Sequence, residues 1–382
     1  MRAVGSRGAA LRLALALLRH DRARLAACAA GVAAALLLMQ AQLVFRAALL
    51  DSSVELLRQL DAELFVMSRE KLPFLARSAM PRERLYQALS VPGIAAAHPL
   101  WLDLVYFRNP EDGREHPIRV IGFAPPDPVF RNPAIAAAAR ALREPWTGLI
   151  DARSRDSYGP LSAGPGLLAR HPVEILGSFP LGSDFEADGN LIVGEATMLA
   201  LDPSARQEIE LAALRTDPGR VPGELLPALR AALPDDVEVY TREGLLARDL
   251  AYWKRGTPLG LVLLFGVALG FAAGTVVSYQ ILYTDVLDHL REYATLVAMG
   301  HGRAFLARVV LVQAGLLSLA GALPAALLGL ALQQGLGAWT GLPVHTAWSQ
   351  LLGVALLAGA MCGAAGCLAL RRLSLLDPAE LL

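Results

Sequence analysis

Lysine is nearly absent from this chain of 382 residues, where only Lys71 and Lys254 occur among 35 basic side chains. A phosphate-cradling Walker loop needs a lysine followed by serine or threonine, and the followers here are Leu72 and Arg255. The chain therefore has no P-loop with which to hydrolyse nucleotide. Cysteine is scarce too. Cys28, Cys362 and Cys367 all fall in apolar runs, which leaves the polar middle of the chain without a disulfide framework. On a helix Cys362 and Cys367 do not converge on a metal. The seven histidines show no zinc-helix spacing and Gly-x-Ser-x-Gly is missing, so no catalytic constellation emerges. Asp202, Asp217, Asp235 and Asp236 sit beside proline or glycine turns, where aspartate is expected for its backbone hydrogen bonding.

Charge is missing from long stretches. Residues 25–45 and 256–284 contain none, and residues 309–370 form a run of 62 without Asp, Glu, Lys or Arg. A bilayer crossing takes roughly 20 apolar helical residues, so the last run holds two crossings. Gly335, Gly337, Gly341 and Pro343, with the interfacial pair Trp339 and Trp348, place their connection at residues 333–350. The result is four transmembrane helices at 25–45, 256–284, 309–332 and 351–370, one before and three after a polar segment of residues 46–255. These spans contain no Asp, Glu, Lys, Arg or His, with His345 only at their border, which argues against an ion-coupled carrier. Gln40, Gln42, Gln280 and Gln313 read as helix–helix hydrogen bonders.

Residues 1–24 carry six arginines against one aspartate, residues 371–382 begin Arg371-Arg372, and the 333–350 hairpin has no lysine or arginine. By the positive-inside rule both termini and the loop 285–308 are cytoplasmic, and residues 46–255 lie on the far side. That segment has 24 basic and 29 acidic residues, a mildly acidic balance that gives nucleic acid no footing. The first span lacks a small-residue cleavage site and reads as a retained anchor. Before it, the amphipathic stretch Leu11-Arg-Leu-Ala-Leu-Ala-Leu-Leu-Arg-His is either an interfacial helix or an insertion signal.

Residues 46–255 read as a folded α/β (α+β) domain. Residues 47–60 continue span one as a helix with Leu49, Leu50, Val54, Leu57 and Leu60 on one face. Residues 63–67 form a strand, and residues 81–89 a helix with Pro81 in its first turn. Strands at 102–107 and 118–123 flank Asn109-Pro-Glu-Asp-Gly, a hairpin signal. A βαβ-like stretch at 209–214, 223–233 and 237–240 follows, and residues 244–254 make a second stalk helix running into span two.

Span two contains Gly266-x-x-x-Gly270-x-x-x-Gly274, three small residues on one helix face that permit close approach to a helix of this chain or of a second copy. Gly359-x-x-x-Gly363 repeats the pattern in span four. The loop 285–308 carries the most specific short segment, Arg291-Glu-Tyr-Ala-Thr-Leu-Val-Ala-Met-Gly300, ending at glycines that stop a helix. It is either a solvated connector or a helix that docks into a partner.

At these residues the chain resembles a family. The segment is similar to the RE-x-x-x-L-x-A-x-G signature of FtsX/MacB-type ABC permeases, as are the tail Asp377-Pro-Ala-Glu and the 1+3 layout. Leu60-Asp-Ala-Glu-Leu, Arg84-Leu-Tyr-Gln-Ala-Leu, Gly122-Phe-Ala-Pro-Pro-Asp-Pro-Val-Phe130 and Asp151-Ala-Arg-Ser-Arg-Asp-Ser-Tyr-Gly159 resemble the DevC-type permeases of heterocyst-glycolipid exporters. The resemblance implies a MacB-like periplasmic domain on a non-catalytic bacterial inner-membrane subunit that binds no cofactor itself. ATP and Mg are expected on a separate ABC ATPase. It also implies two permease copies, a periplasmic adaptor and a TolC-like outer-membrane channel, with a lipid or other amphiphile as cargo. Arg291, Glu292, Ala294, Thr295, Met299 and Gly300 are the expected ATPase contacts. The same superfamily includes FtsX-like relays that activate cell-wall hydrolases and LolC/E-like lipoprotein release, which stand as alternatives.

Overall fold

One unbroken helix, α1, runs from Arg22 to Gln59, joining the first apolar span to the helical continuation expected after it. The computed structural model describes residue 12 and residues 22–126, 129–289, 292, 295, 299, 302–340 and 348–373. The predicted interfacial stretch at 11–20, apart from Arg12, and the tail from Asp377 lie outside the described residues. Two compact units result: Ala47–Gly260 with Leu336–Pro343, and a second built from Met1–Arg46, Leu261–Gly335 and Val344–Leu382.

The first unit is a mixed α/β domain. Its opening elements are β1 (Leu64–Ser68), β2 (Met80–Pro81), α2 (Glu83–Leu89), β3 (Ile94–Arg108), β4 (Glu115–Phe123) and α3 (Pro133–Ala138). Then come β5 (Thr147–Asp151), β6 (Gly164–Leu168), β7 (His171–Phe179), β8 (Asn190–Gly194) and α4 (Glu195–Leu201). β9 (Glu208–Ile209), β10 (Leu211–Thr216), α5 (Pro222–Ala232), β11 (Val237–Thr241) and α6 (Arg242–Ala251) complete it.

The strand order β11-β1-β10-β3 makes one half of the domain, with every neighbouring pair antiparallel. β1–α2–β3 and β10–α5–β11 are thus two interleaved βαβ units, a ferredoxin-like arrangement. β3 does not stop there. Residues Ile94 to Leu100 pair with β10, and from Leu100 to Arg108 the same strand pairs with β4. The order continues β4-β8-β5-β7-β6, and β6 returns to β3 through Phe107↔Leu168 and Arg108↔Leu167. Six strands therefore close into a ring inserted between the second and third strands of the ferredoxin-like half.

Alternation along β1 explains why that half has helices on both faces. Leu64 and Val66 share a core with Leu85 and Ala88 of α2 and Leu225 and Leu229 of α5. Phe65 and Met67 share another with Leu56 and Leu57 of α1, with Leu60 just beyond its end, and with Leu245 of α6. Each of the leucine, valine, phenylalanine and methionine side chains taken from water contributes about 1.5–3 kcal/mol. The expected hairpin is present: Asn109 Oδ1 accepts the Glu111 N–H at 2.8 Å, and Gly113 takes the left-handed conformation (φ 71°) that closes the turn. One expectation fails. Pro81 is not in a helix but pairs with Glu208 as β2, and α2 begins two residues later at Glu83.

Buried charges tie the loops to this frame. Lys71 is wholly buried, and its Nζ donates to Glu210 Oε2 at 2.8 Å, an oxygen that also accepts the Ser78 N–H at 2.7 Å. Burial pulls the Lys71 pKa below its ordinary value, against the opposing pull of Glu210. On α6, Asp249 Oδ1 accepts the Phe74 N–H at 2.7 Å, while Oδ2 is buried without a hydrogen bond. Burial pushes its carboxyl up to about 6. In the ring, Asp151 accepts the N–H groups of Leu181 (2.9 Å) and Gly182 (2.7 Å) and the Asn190 amide (2.9 Å). Arg119 Nη2 donates to Asp184 Oδ1 at 2.8 Å, so the loop between β7 and β8 is held at two points.

The second unit contains α7 (Pro258–Asp288), α8 (Arg303–Thr340) and α9 (Trp348–Leu373) with the first part of α1. Among the described residues, four helices are long and apolar enough to cross a membrane: Leu25–Gln59, Gly260–Asp288, Ala304–Gly335 and Leu352–Arg371. The hairpin expected from Gln333 starts later. Gly335 and Gly337 lie within α8, whose backbone stays helical to Thr340, because glycine weakens a helix without ending it. The second stalk covers the expected residues 244–254 but does not run unbroken into span two. α6 passes into a π-helical turn, Tyr252–Gly256, and the helix then breaks at the extended Thr257. Pro258 accounts for the break, since its ring disfavours helical conformation in the residue before it.

Two stability outcomes follow from the buried charges, both read by thermal unfolding of the full chain in detergent. Glu210→Ala strands a buried ammonium and is expected to cost about 3–5 kcal/mol, much of it recovered by the double variant Lys71→Met/Glu210→Leu. Asp249 has a folded pKa above that of the unfolded chain. Its penalty is therefore absent below pH 4 and complete once pH has risen past about 6. Asp249→Asn should stabilise by up to about 3 kcal/mol at pH 8 and have little effect at pH 4.

Candidate functional site

The segment between α7 and α8 begins as a continuation of α7. The His289 N–H donates to the Asp285 carbonyl at 3.3 Å and the Glu292 N–H to the His289 carbonyl at 3.1 Å. Further on, the Met299 N–H donates to the Thr295 carbonyl at 3.0 Å, a helical i to i+4 bond. Glu292, Thr295 and Met299 are all exposed, Met299 by 65%. Their spacing of three and four residues puts them on one helical face, an acid and a hydroxyl beside a flexible thioether. Arg291, Ala294 and Gly300 lie outside the described residues.

The glycine seam is satisfied within the chain. A Cβ added at Gly266 would lie 3.0 Å from the Gln42 side chain, and one at Gly270 would lie 2.7 Å from Met39 Cγ. At Gly274 it would collide with Met361 of α9 and Ala35 of α1. α1 and α7 therefore approach along all three glycines, and Gly321 of α8 receives Val32 of α1 in the same manner. Gly359 and Gly363 meet nothing within 4 Å.

The four glutamines behave differently from one another. Gln313 is fully buried, and its Nε2 donates across to Asp285 Oδ2 at 2.7 Å. Gln42 lies against Gly266. Gln40 is buried against Gly329 with neither amide atom hydrogen-bonded, and Gln280 is exposed, so these two do not bridge helices. Asp285 is the residue that the sequence reading missed. It falls inside the span-length helix Gly260–Asp288 with its side chain only 13% exposed, so the apolar helices do hold a shielded carboxylate. The available signal was a carboxylate in the last turn of one apolar helix and a lone glutamine early in the next.

Gly274→Leu is expected to destabilise the helix bundle by about 1–3 kcal/mol through overpacking. Gly359→Leu, at an open position, should leave the melting temperature of the full chain nearly unchanged.

Residues 264–378 match the family model described as the FtsX-like permease C-terminal domain. A search of curated proteins finds no match. Among solved structures, the periplasmic region of MacB from Actinobacillus actinomycetemcomitans aligns at 6% identity with a TM-score of 0.35, covering 48% of this chain and 91% of that one. The extracellular domain of the noncanonic ABC-type transporter YknZ from Gram-positive bacteria aligns at 13% identity with a TM-score of 0.31, covering 47% of this chain and 98% of that one. The chain is a membrane protein with a 1+3 arrangement of apolar helices, and its last three helices match the FtsX-like permease C-terminal domain.

Proposed function

We propose that this chain is the permease subunit of an ABC-type exporter, powered by a separate ATPase that docks on the segment between α7 and α8. The observation that carries the reading is the exposed face of Glu292, Thr295 and Met299 inside the region matched as an FtsX-like permease domain. The lack of a Walker lysine supports it, because energy must then come from another chain. In this reading both termini and the docking segment are cytoplasmic and the inserted α/β domain is periplasmic, in keeping with the arginine-rich flanks.

The chain acts as two copies, since ATP is bound between two ATPase subunits and each needs a membrane partner. ATPase closure moves the helices, and the inserted domain passes that motion to a periplasmic adaptor and a TolC-like channel. The cargo is a lipid, glycolipid or other amphiphile. Glu292 sets the register of docking through its charge, while Thr295 and Met299 supply the surface that packs into the partner.

Glu292→Arg tests the reading in vesicles containing the permease and its ATPase. The variant should insert normally and lose at least tenfold in permease-stimulated ATP hydrolysis, with export falling in parallel. Stimulation and export at the parent level would sink the docking role.

A further inference from the structure

The segment proposed to receive the ATPase is bracketed by α7 and α8, and those two helices are joined beside it by a buried polar contact. Gln313 Nε2 donates to Asp285 Oδ2 at 2.7 Å. The glutamine is fully buried and its Oε1 has no hydrogen bond, so the amide serves there as a donor to the carboxylate. Around it Val286 of α7 packs with Val309 and Val310 of α8, alongside Phe305, Leu306 and Leu316, and Leu370 of α9 joins the same cluster. His289, one turn beyond Asp285, places Nδ1 2.8 Å from the Asp285 carbonyl and 3.7 Å from its carboxylate.

A carboxylate set among apolar side chains is costly unless a donor faces it. Parting the helices would therefore take the amide from the carboxylate and admit water between them. We propose that the Asp285–Gln313 hydrogen bond is a clamp that makes the facing ends of α7 and α8 one rigid body, so that force on the intervening segment reaches both helices together. Asp285 and Gln313 are positioning residues in this scheme, and their role in coupling rests on the docking role proposed above. The rigidity of the hairpin does not.

The test uses the full chain in lipid nanodiscs, in a background of Cys28→Ser, Cys362→Ala and Cys367→Ser. Spin labels go on Leu287→Cys of α7 and Leu311→Cys of α8, both exposed positions. The parent should give a single narrow distance distribution. Losing a hydrogen bond to a charged group is worth about a tenfold change in an equilibrium. Gln313→Leu should accordingly raise a second, longer-distance population about tenfold. The exchanged pair Asp285→Gln/Gln313→Asp should restore the narrow distribution, which a purely volumetric role for Gln313 would not predict. An unchanged distribution in Gln313→Leu overturns the clamp. A loosened hairpin that still stimulates the ATPase at the parent level overturns its role in coupling. Failure of the Glu292→Arg test alone leaves the distance result, and hence the clamp, standing.

Discussion

The close approach of α1 to α7 is the constraint on which the membrane unit depends. Water does not drive apolar helices together inside a bilayer, so their contact rests on dispersion and on how near the backbones can come. Gly266, Gly270 and Gly274 remove side-chain bulk along one face of α7, and Gln42, Met39 and Ala35 of α1 fill the space. Met361 of α9 reaches the same seam at Gly274, and Val32 of α1 meets Gly321 of α8. One helix is thus held on two sides, and α1 has the place of a central post among the described spans.

α1 and the segment that leads into α7 are built differently. α1 is helical without interruption from Arg22 to Gln59. The return path is helical only to Gly256, where the π turn gives way to the extended Thr257 ahead of Pro258. Pro258 restricts the residue before it to extended conformations, which is why the helix does not continue through Thr257.

Much of this was legible in the sequence because membrane helices announce themselves by composition. The runs at 25–45, 256–284 and 309–370 needed only a count of missing charges, and Asn109-Pro-Glu-Asp-Gly fixed a hairpin through turn chemistry that acts locally. The interleaved βαβ units were half visible: 209–214, 223–233 and 237–240 were read, but their pairing across β1 was not, since register between distant strands leaves no local mark. The ring was invisible for the same reason. β5 and β8 are buried along their whole length and so lack the alternation that would betray a strand with one wet face. Asp285 was read as the boundary of a span because charge normally ends one; its partner Gln313 lies 28 positions away, too far to be seen as a local pattern. Of the face proposed to dock, the residue types were legible and the exposure of Glu292, Thr295 and Met299 was not.

The path of β3 has a consequence for how the domain is made. Its first residues belong to the ferredoxin-like half and its last to the ring, while β1 pairs with β10 and β11, as in Leu64↔Leu214 and Val66↔Val239. A chain emerging from its N-terminus can close the ring once β8 has appeared, but β1 must wait unpaired until β10 and β11 arrive. Contacts so far apart in sequence are slow to form, and an exposed strand as apolar as Leu-Phe-Val-Met is prone to pair with the wrong neighbour meanwhile. The ring therefore serves as an early-folding insert, and the half of the domain joined directly to α1 is the last to be completed.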